Sequence, residues 1–163
     1  MLARIHRSMK EKDEGFTLIE LLVVMIIIGI LAAIAVPVFL SQRKKAQDSA
    51  VKSDVSALGK EMSAYFVDGT TAPTIQVTSG RYQIGTSAGY TDVGKQSSGV
   101  LTVGTYGTIS TAPSANTTPL TNTGWTSSAW CVALYNDGGS QKVYKYSAQN
   151  GLESGNCTSA IAP

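Results

Sequence analysis

The chain has 163 residues, of which 43% are hydrophobic and 15% charged, and a formal net charge of +2. Setting aside a membrane-length segment leaves about 120 residues, enough for one small globular unit, and the scattered basic residues leave no specific nucleic-acid site evident. The lone histidine, His6, stands near the N-terminus, so the rest of the chain has no His for a Ser or Cys triad, a proton relay or a zinc site.

The chain opens with a polar lead-in, where Arg4, Arg7, Lys10 and Lys12 are mixed with Glu11, Asp13 and Glu14. Residues 16–40 then run apolar except for Glu20. Three readings fit such a start. Ordinary secretion has a candidate cut after Ala33-Ile34-Ala35, a small-x-small pattern, but the apolar run continues past it. A plain single-span anchor has the length, since residues 16–40 at ~1.5 Å each make ~37 Å of helix against a ~30 Å hydrocarbon layer, but it leaves Glu20 unexplained.

The third reading accounts for the glycine and the carboxylate together. "EGFTLIELLVVMIIIGILAAIAVP" resembles the N-terminus of type IV pilins and pseudopilins: a charged leader ending in Gly15, then Phe16, Thr17, Leu18, Ile19 and Glu20 opening a hydrophobic helix. The resemblance covers about residues 10–42. It implies that a membrane-embedded prepilin peptidase cuts between Gly15 and Phe16, and that the new amino terminus at Phe16 is N-methylated. It also implies that Glu20 pairs with the Phe16 amine of a neighbouring subunit, setting the register of a filament. An i, i+4 pair within one helix is the alternative, worth ~0.2 to 0.5 kcal/mol in water. Gly29 and Pro37 mark where the helix should bend or lose helicity, because proline removes a backbone hydrogen bond and glycine weakens a helix by ~1 kcal/mol.

Arg43, Lys44 and Lys45 follow the span and nearly balance the basic leader, so charge alone barely decides orientation. A cytoplasmic leader and an outward C-terminus rest on the resemblance and on the expected disulfide.

Residues 46–66 contain no proline, and Val51, Val55, Leu58, Met62 and Tyr65 form one stripe on a helix. Lys52, Asp54, Lys60 and Glu61 are expected largely off it. Asp68-Gly69 should end the helix, with Pro73 just beyond.

The remainder reads as strands and loops. "AWCVALYNDGGSQKVYKYSA" is a hairpin turning at Asp137-Gly138-Gly139, and "SGVLTVGTY" and "TIQVTSGRYQIG" are further strand candidates. The expectation is an α+β fold in which one antiparallel sheet of about four strands packs on the helix stripe. Residues 86–128 are dense in Ser and Thr and read as exposed loop. Asn116-Thr117-Thr118 and Asn156-Cys157-Thr158 fit the N-glycosylation triplet, a weak signal. In an exported domain Cys131 and Cys157 read as a disulfide, with two unbonded thiols as the alternative.

The expected organisation is a cleaved leader over 1–15, a membrane and filament-core helix over 16–40, an amphipathic helix over 41–67 and an extracytoplasmic β-rich domain over 68–163. No enzyme, cofactor or metal site is expected; a carboxylate pair would have to be assembled by folding from Asp68, Asp92 and Asp137. The leading function implied is a type IV pilus subunit, held in the membrane before assembly and extracellular afterwards, serving adhesion, motility or DNA uptake. Its partners would be copies of itself, the prepilin peptidase, and the assembly platform with its ATPase. The alternative is a pseudopilin of a secretion or competence machine, whose major forms carry an acidic calcium loop near the C-terminus. Only Asp137 and Glu153 are acidic after Asp92.

Overall fold

The computed structural model describes residues 15–102, 120–121 and 124–157, with only the backbone described at 120–121. The leader up to residue 14, the Asn116 triplet and Thr158 lie outside the described residues. The chain divides into two compact units, Met1–Leu40 and Ser41–Pro163.

Helix α1 runs from Leu18 to Asp68 and contributes to both units. In the first unit every described side chain is exposed, from Phe16 at 90% to Leu40 at 49%. Among the described residues of that unit, none covers its Leu, Ile and Val side chains. Among the described residues, α1 is the one helix long and apolar enough to cross a membrane. Its assignment is unbroken through Gly29 and Pro37, although Pro37 offers no N–H to the carbonyl of Ala33.

The second unit is built on the stripe. Val51, Val55, Leu58 and Met62 are fully buried, and Tyr65 packs beside them. The helix stops at Asp68, where the Gly69 N–H closes the last turn on the Tyr65 carbonyl at 2.8 Å.

Two four-stranded antiparallel sheets meet this stripe where one was expected. The first has the order β3-β2-β1-β5, from β1 (Thr74–Thr78), β2 (Arg81–Thr86), β3 (Gly89–Lys95) and β5 (Leu120–Thr121). The second has the order β4-β6-β7-β8, from β4 (Leu101–Thr102), β6 (Cys131–Tyr135), β7 (Val143–Ser147) and β8 (Gly151–Ser154). Most of the extra strands come from local hairpins, while β5 reaches β1 across a long separation, Ile75 standing opposite Leu120. "TIQVTSGRYQIG" is itself two strands, with Thr78 opposite Arg81 and Ser79-Gly80 turning between them at φ of 53° and 70°. Both turn residues having positive φ matches the two-residue hairpin loop whose twist suits paired strands. Strand β3 is mostly exposed and polar, so it lacks the apolar alternation that marks a strand.

One core joins both sheets to the helix: Ile75, Tyr82 and Ile84 from the first, Val132, Leu134 and Tyr144 from the second, and Val100, Trp125 and Trp130 from connecting segments. Strand β6 is buried along its whole length. Its residues Val132 and Leu134 belong to that core, while Cys131, Ala133 and Tyr135 form a second cluster with Cys157.

Gly59 sits on the buried face of α1, and a Cβ there would strike the ring of Tyr146. That ring cannot retreat freely, because it stacks on buried Trp130 at 5.9 Å between centroids. Helix propensity favours alanine by ~1 kcal/mol, whereas overpacking a filled core costs ~1 to 3 kcal/mol. Gly59→Ala is therefore expected to lower the denaturation midpoint of the full chain, and to become neutral or stabilising in a Tyr146→Ala background.

Candidate functional site

The N-terminal segment is built around the start of α1. Thr17 is its cap: the Thr17 carbonyl accepts the Leu21 N–H at 3.3 Å, the first bond of the helix. The Thr17 hydroxyl accepts the Glu20 N–H at 3.3 Å. In return one Glu20 carboxylate oxygen accepts the Thr17 N–H at 2.8 Å and its hydroxyl at 2.7 Å. This reciprocal arrangement is a capping box, which satisfies two otherwise orphaned N–H groups at a helix start. The negative charge also lies at the positive end of the helix dipole.

Glu20 thus has a partner inside its own chain that the sequence reading passed over, although the signal, Thr17-Leu18-Ile19-Glu20, was present. All three bonds lie between residues 17 and 20, so a cut between Gly15 and Phe16 would leave them intact.

Phe16 and Glu20 lie on the same apolar stretch of surface, beside Ile19 and Val24. A Cβ placed on Gly15 or Gly29 would meet nothing within 4 Å, so neither glycine is required by packing among the described residues.

In the second unit, Cys131 and Cys157 are joined by a disulfide, with Cα atoms 5.9 Å apart across a sequence separation of 26. Two acids the sequence reading misjudged or overlooked hold the helix to its sheets. Asp54, expected off the stripe, is 7% exposed. It accepts the Tyr82 hydroxyl at 3.0 Å, the Ser97 N–H at 2.8 Å and the Ser97 hydroxyl at 2.7 Å. Burial, and then the Asp54 charge, hold the Tyr82 phenol protonated far above its ordinary range.

Asp48, at 8% exposure, accepts the N–H groups of Ser140 and Gln141, each at 3.2 Å. Those groups lie in the β6–β7 connection, where a Cβ on Gly139 would collide with the Asp48 carboxylate. Three or four residues separate Asp48, Val51, Asp54 and Leu58, so both acids share the apolar face. That spacing was the available signal, outweighed by the expectation that charge faces water.

Asp92 and Asp137 are engaged locally. Asp92 forms a two-pronged pair with Arg81, the Nη2 to Oδ1 arm being 2.9 Å. Asp137 takes Lys142 at 2.9 Å and the Tyr135 hydroxyl at 2.7 Å; these hydrogen bonds, Lys142 first, hold its carboxyl below the ordinary value. Neither is paired with another carboxylate in these interactions. Among the described residues no three His, Cys, Asp or Glu gather as a metal-ligating group.

Comparison with known proteins bears on the same N-terminal stretch. A family profile described as "Prokaryotic N-terminal methylation motif" matches residues 11–36. The chain is 35% identical over 68 residues to "Type II secretion system core protein G" of Dickeya chrysanthemi, covering 42% of this chain and 44% of that one. It is 40% identical over 63 residues to the protein of the same name from Vibrio cholerae, covering 39% and 43%. It is 44% identical over 55 residues to "Type IV major pilin protein PilA" of Myxococcus xanthus, covering 34% and 25%. The chain therefore spans less than half the length of these relatives. No solved structure gives a significant match.

Proposed function

Starting from an N-terminal segment of the type IV pilin and pseudopilin family, we propose that this chain is a structural subunit of a type IV pilus. The observation that carries the proposal is the half-helix over residues 18–40, whose apolar side chains are all exposed among the described residues. Such a surface is stable in two settings, a bilayer or a bundle of like helices, and a pilin occupies them in turn. The subunit would wait in the membrane through this helix with its leader on the cytoplasmic side, and would leave it for the core of a surface filament. Residues 68–163 would form the extracytoplasmic domain.

In this reading the prepilin peptidase cuts after Gly15, Phe16 carries the methylated amine, and Glu20 neutralises the amine of a neighbour. Gly29 and Pro37 are where the helix bends or loses helicity on assembly. The assembly platform and its ATPase drive extraction, and filament growth needs no catalytic group on the subunit.

A pseudopilin of a type II secretion machine is the second reading, favoured by the likeness to core protein G. The disulfide-closed C-terminal region and the scarcity of acids after Asp92 support the pilus. Electron microscopy of material sheared from intact cells, with antibody against this chain, tests the two. Long labelled filaments are expected; cells with no sheared filament, and secretion lost when the chain is deleted, would favour the secretion machine.

Processing has its own test. A Cβ at Gly15 meets nothing within 4 Å among the described residues, so a defect in Gly15→Leu is read as a defect at the peptidase. Full-length precursor is expected to accumulate in the membrane. Mass spectrometry finding a mature N-terminus at Val36 in the unaltered protein would instead establish ordinary secretion.

A further inference from the structure

Between Glu20 and Glu61 the sequence contains two acids, Asp48 and Asp54. Both are buried, their carboxylates accepting bonds from Ser140, Gln141, Tyr82 and Ser97. The five cations of the same stretch, Arg43, Lys44, Lys45, Lys52 and Lys60, are all exposed. The outward surface of this part of α1 therefore carries one sign of charge. An ordinary solvated helix face mixes signs; here the two acids that would have mixed them are directed inward.

Lys52 is occupied, with its ammonium 4.9 Å from the centre of the Tyr144 ring. Arg43, Lys44 and Lys45 differ from it. They are consecutive, they follow the apolar run after only Ser41 and Gln42, and none forms an ion pair with a described carboxylate. Successive helix residues are ~100° apart, so the three side chains fan across roughly 200° of the helix perimeter. That spread is too wide for one pocket in a partner protein. It suits a layer of phosphates surrounding the helix, which long cationic side chains reach by extending along the apolar surface.

We propose that Arg43, Lys44 and Lys45 bind anionic phospholipid headgroups in the leaflet facing the globular unit, and so fix the depth of the helix while the subunit resides in the membrane. The proposal rests on the membrane-resident stage described above. It also locates Glu20. A ~30 Å apolar layer takes up ~20 helical residues, so with Arg43 at one headgroup layer the far boundary falls near Val23. Glu20 then lies in the opposite headgroup layer, where a charge is far less costly than at the centre of the bilayer.

The test uses the full chain in detergent with equal phosphatidylglycerol and phosphatidylcholine, read by native mass spectrometry for retained lipid. Each cation near an anionic surface contributes about fivefold, so the preference for phosphatidylglycerol is expected to be on the order of a hundredfold at low salt. It should shrink as salt is added. The variant Arg43→Gln, Lys44→Gln, Lys45→Gln should retain both lipids equally, while Arg43→Lys keeps the preference. A triple variant with undiminished preference, or an unaltered chain with none, overturns the proposal. So does a dimer that forms in phosphatidylcholine alone and is lost in the triple variant, since the cations would then serve a second copy. Flotation with vesicles separates the underlying reading: a chain stripped by alkaline carbonate from vesicles of either lipid overturns the membrane-resident stage and this proposal together.

Discussion

Glu20→Val is expected to abolish filaments while processed subunit accumulates in the membrane. Valine makes the span more apolar, so insertion should not suffer, and the bond between Gly15 and Phe16 is untouched. In the proposed filament, an incoming subunit would, however, bury the Phe16 ammonium of its neighbour without a counter-charge, a penalty of ~3 to 5 kcal/mol for a pair broken in a dry interior. The capping box complicates a simple reading of this variant, because valine also removes the bond to Thr17, and loss of a cap costs ~0.5 to 2 kcal/mol. Glu20→Gln separates the two effects. Its amide oxygen can still accept the Thr17 N–H, but it carries no charge. Filaments absent from sheared material in both variants would assign the role to the charge; normal yield in Glu20→Gln would assign it to the cap and remove the intersubunit pair from the account.

Cys131→Ala or Cys157→Ala is expected to destabilise the second unit by ~2 to 5 kcal/mol, the usual cost of losing a native disulfide in a small exported domain. The bridge restrains the return of residues 155–157 to β6. One short contact helps, the Gly155 N–H bonded to the Val143 carbonyl at 3.0 Å. Denaturation of the full chain in detergent, monitored by the buried tryptophans Trp125 and Trp130, measures the change. Non-reducing peptide mapping of the native protein should recover the Cys131 and Cys157 peptides linked. A loss below ~1 kcal/mol would mean that the β6–β7–β8 ladder holds the segment without covalent help.

How much of this was legible depended on which signals act along the chain and which act across it. The helix stripe was readable because Val51, Val55, Leu58 and Met62 repeat at helical spacing, and their burial needs no further information. The β6–β7 hairpin was readable from apolar alternation interrupted by Asp137-Gly138-Gly139. The division into two sheets was not, because it turns on a two-residue bend at Ser79-Gly80 inside an apparently continuous strand, and on β3, whose polar residues give no period.

The same contrast holds in the candidate site. Gly15, Phe16 and Glu20 stand in one contiguous, densely patterned segment, which is why the sequence offers them together as candidates. The inward turn of Asp48 and Asp54 was hidden because their partners, Ser140, Gln141, Tyr82 and Ser97, are separated from them by 28 residues or more. Gly59 was equally hidden, since only the ring of Tyr146 explains the missing side chain.

In the proposed filament, the bridge between Cys131 and Cys157 has a mechanical meaning for a subunit pulled between its helix and its far end. Tension arriving at Cys131 crosses the sulfur atoms directly to Cys157, so β6, β7 and β8 are bypassed by the load. At ~3.5 Å per extended residue, the 26 residues of separation amount to ~90 Å of slack that the subunit cannot release. A fibre built from such subunits would yield first in the hairpins between Asp68 and Cys131, and each subunit would lengthen by a limited amount before its covalent backbone bore the strain.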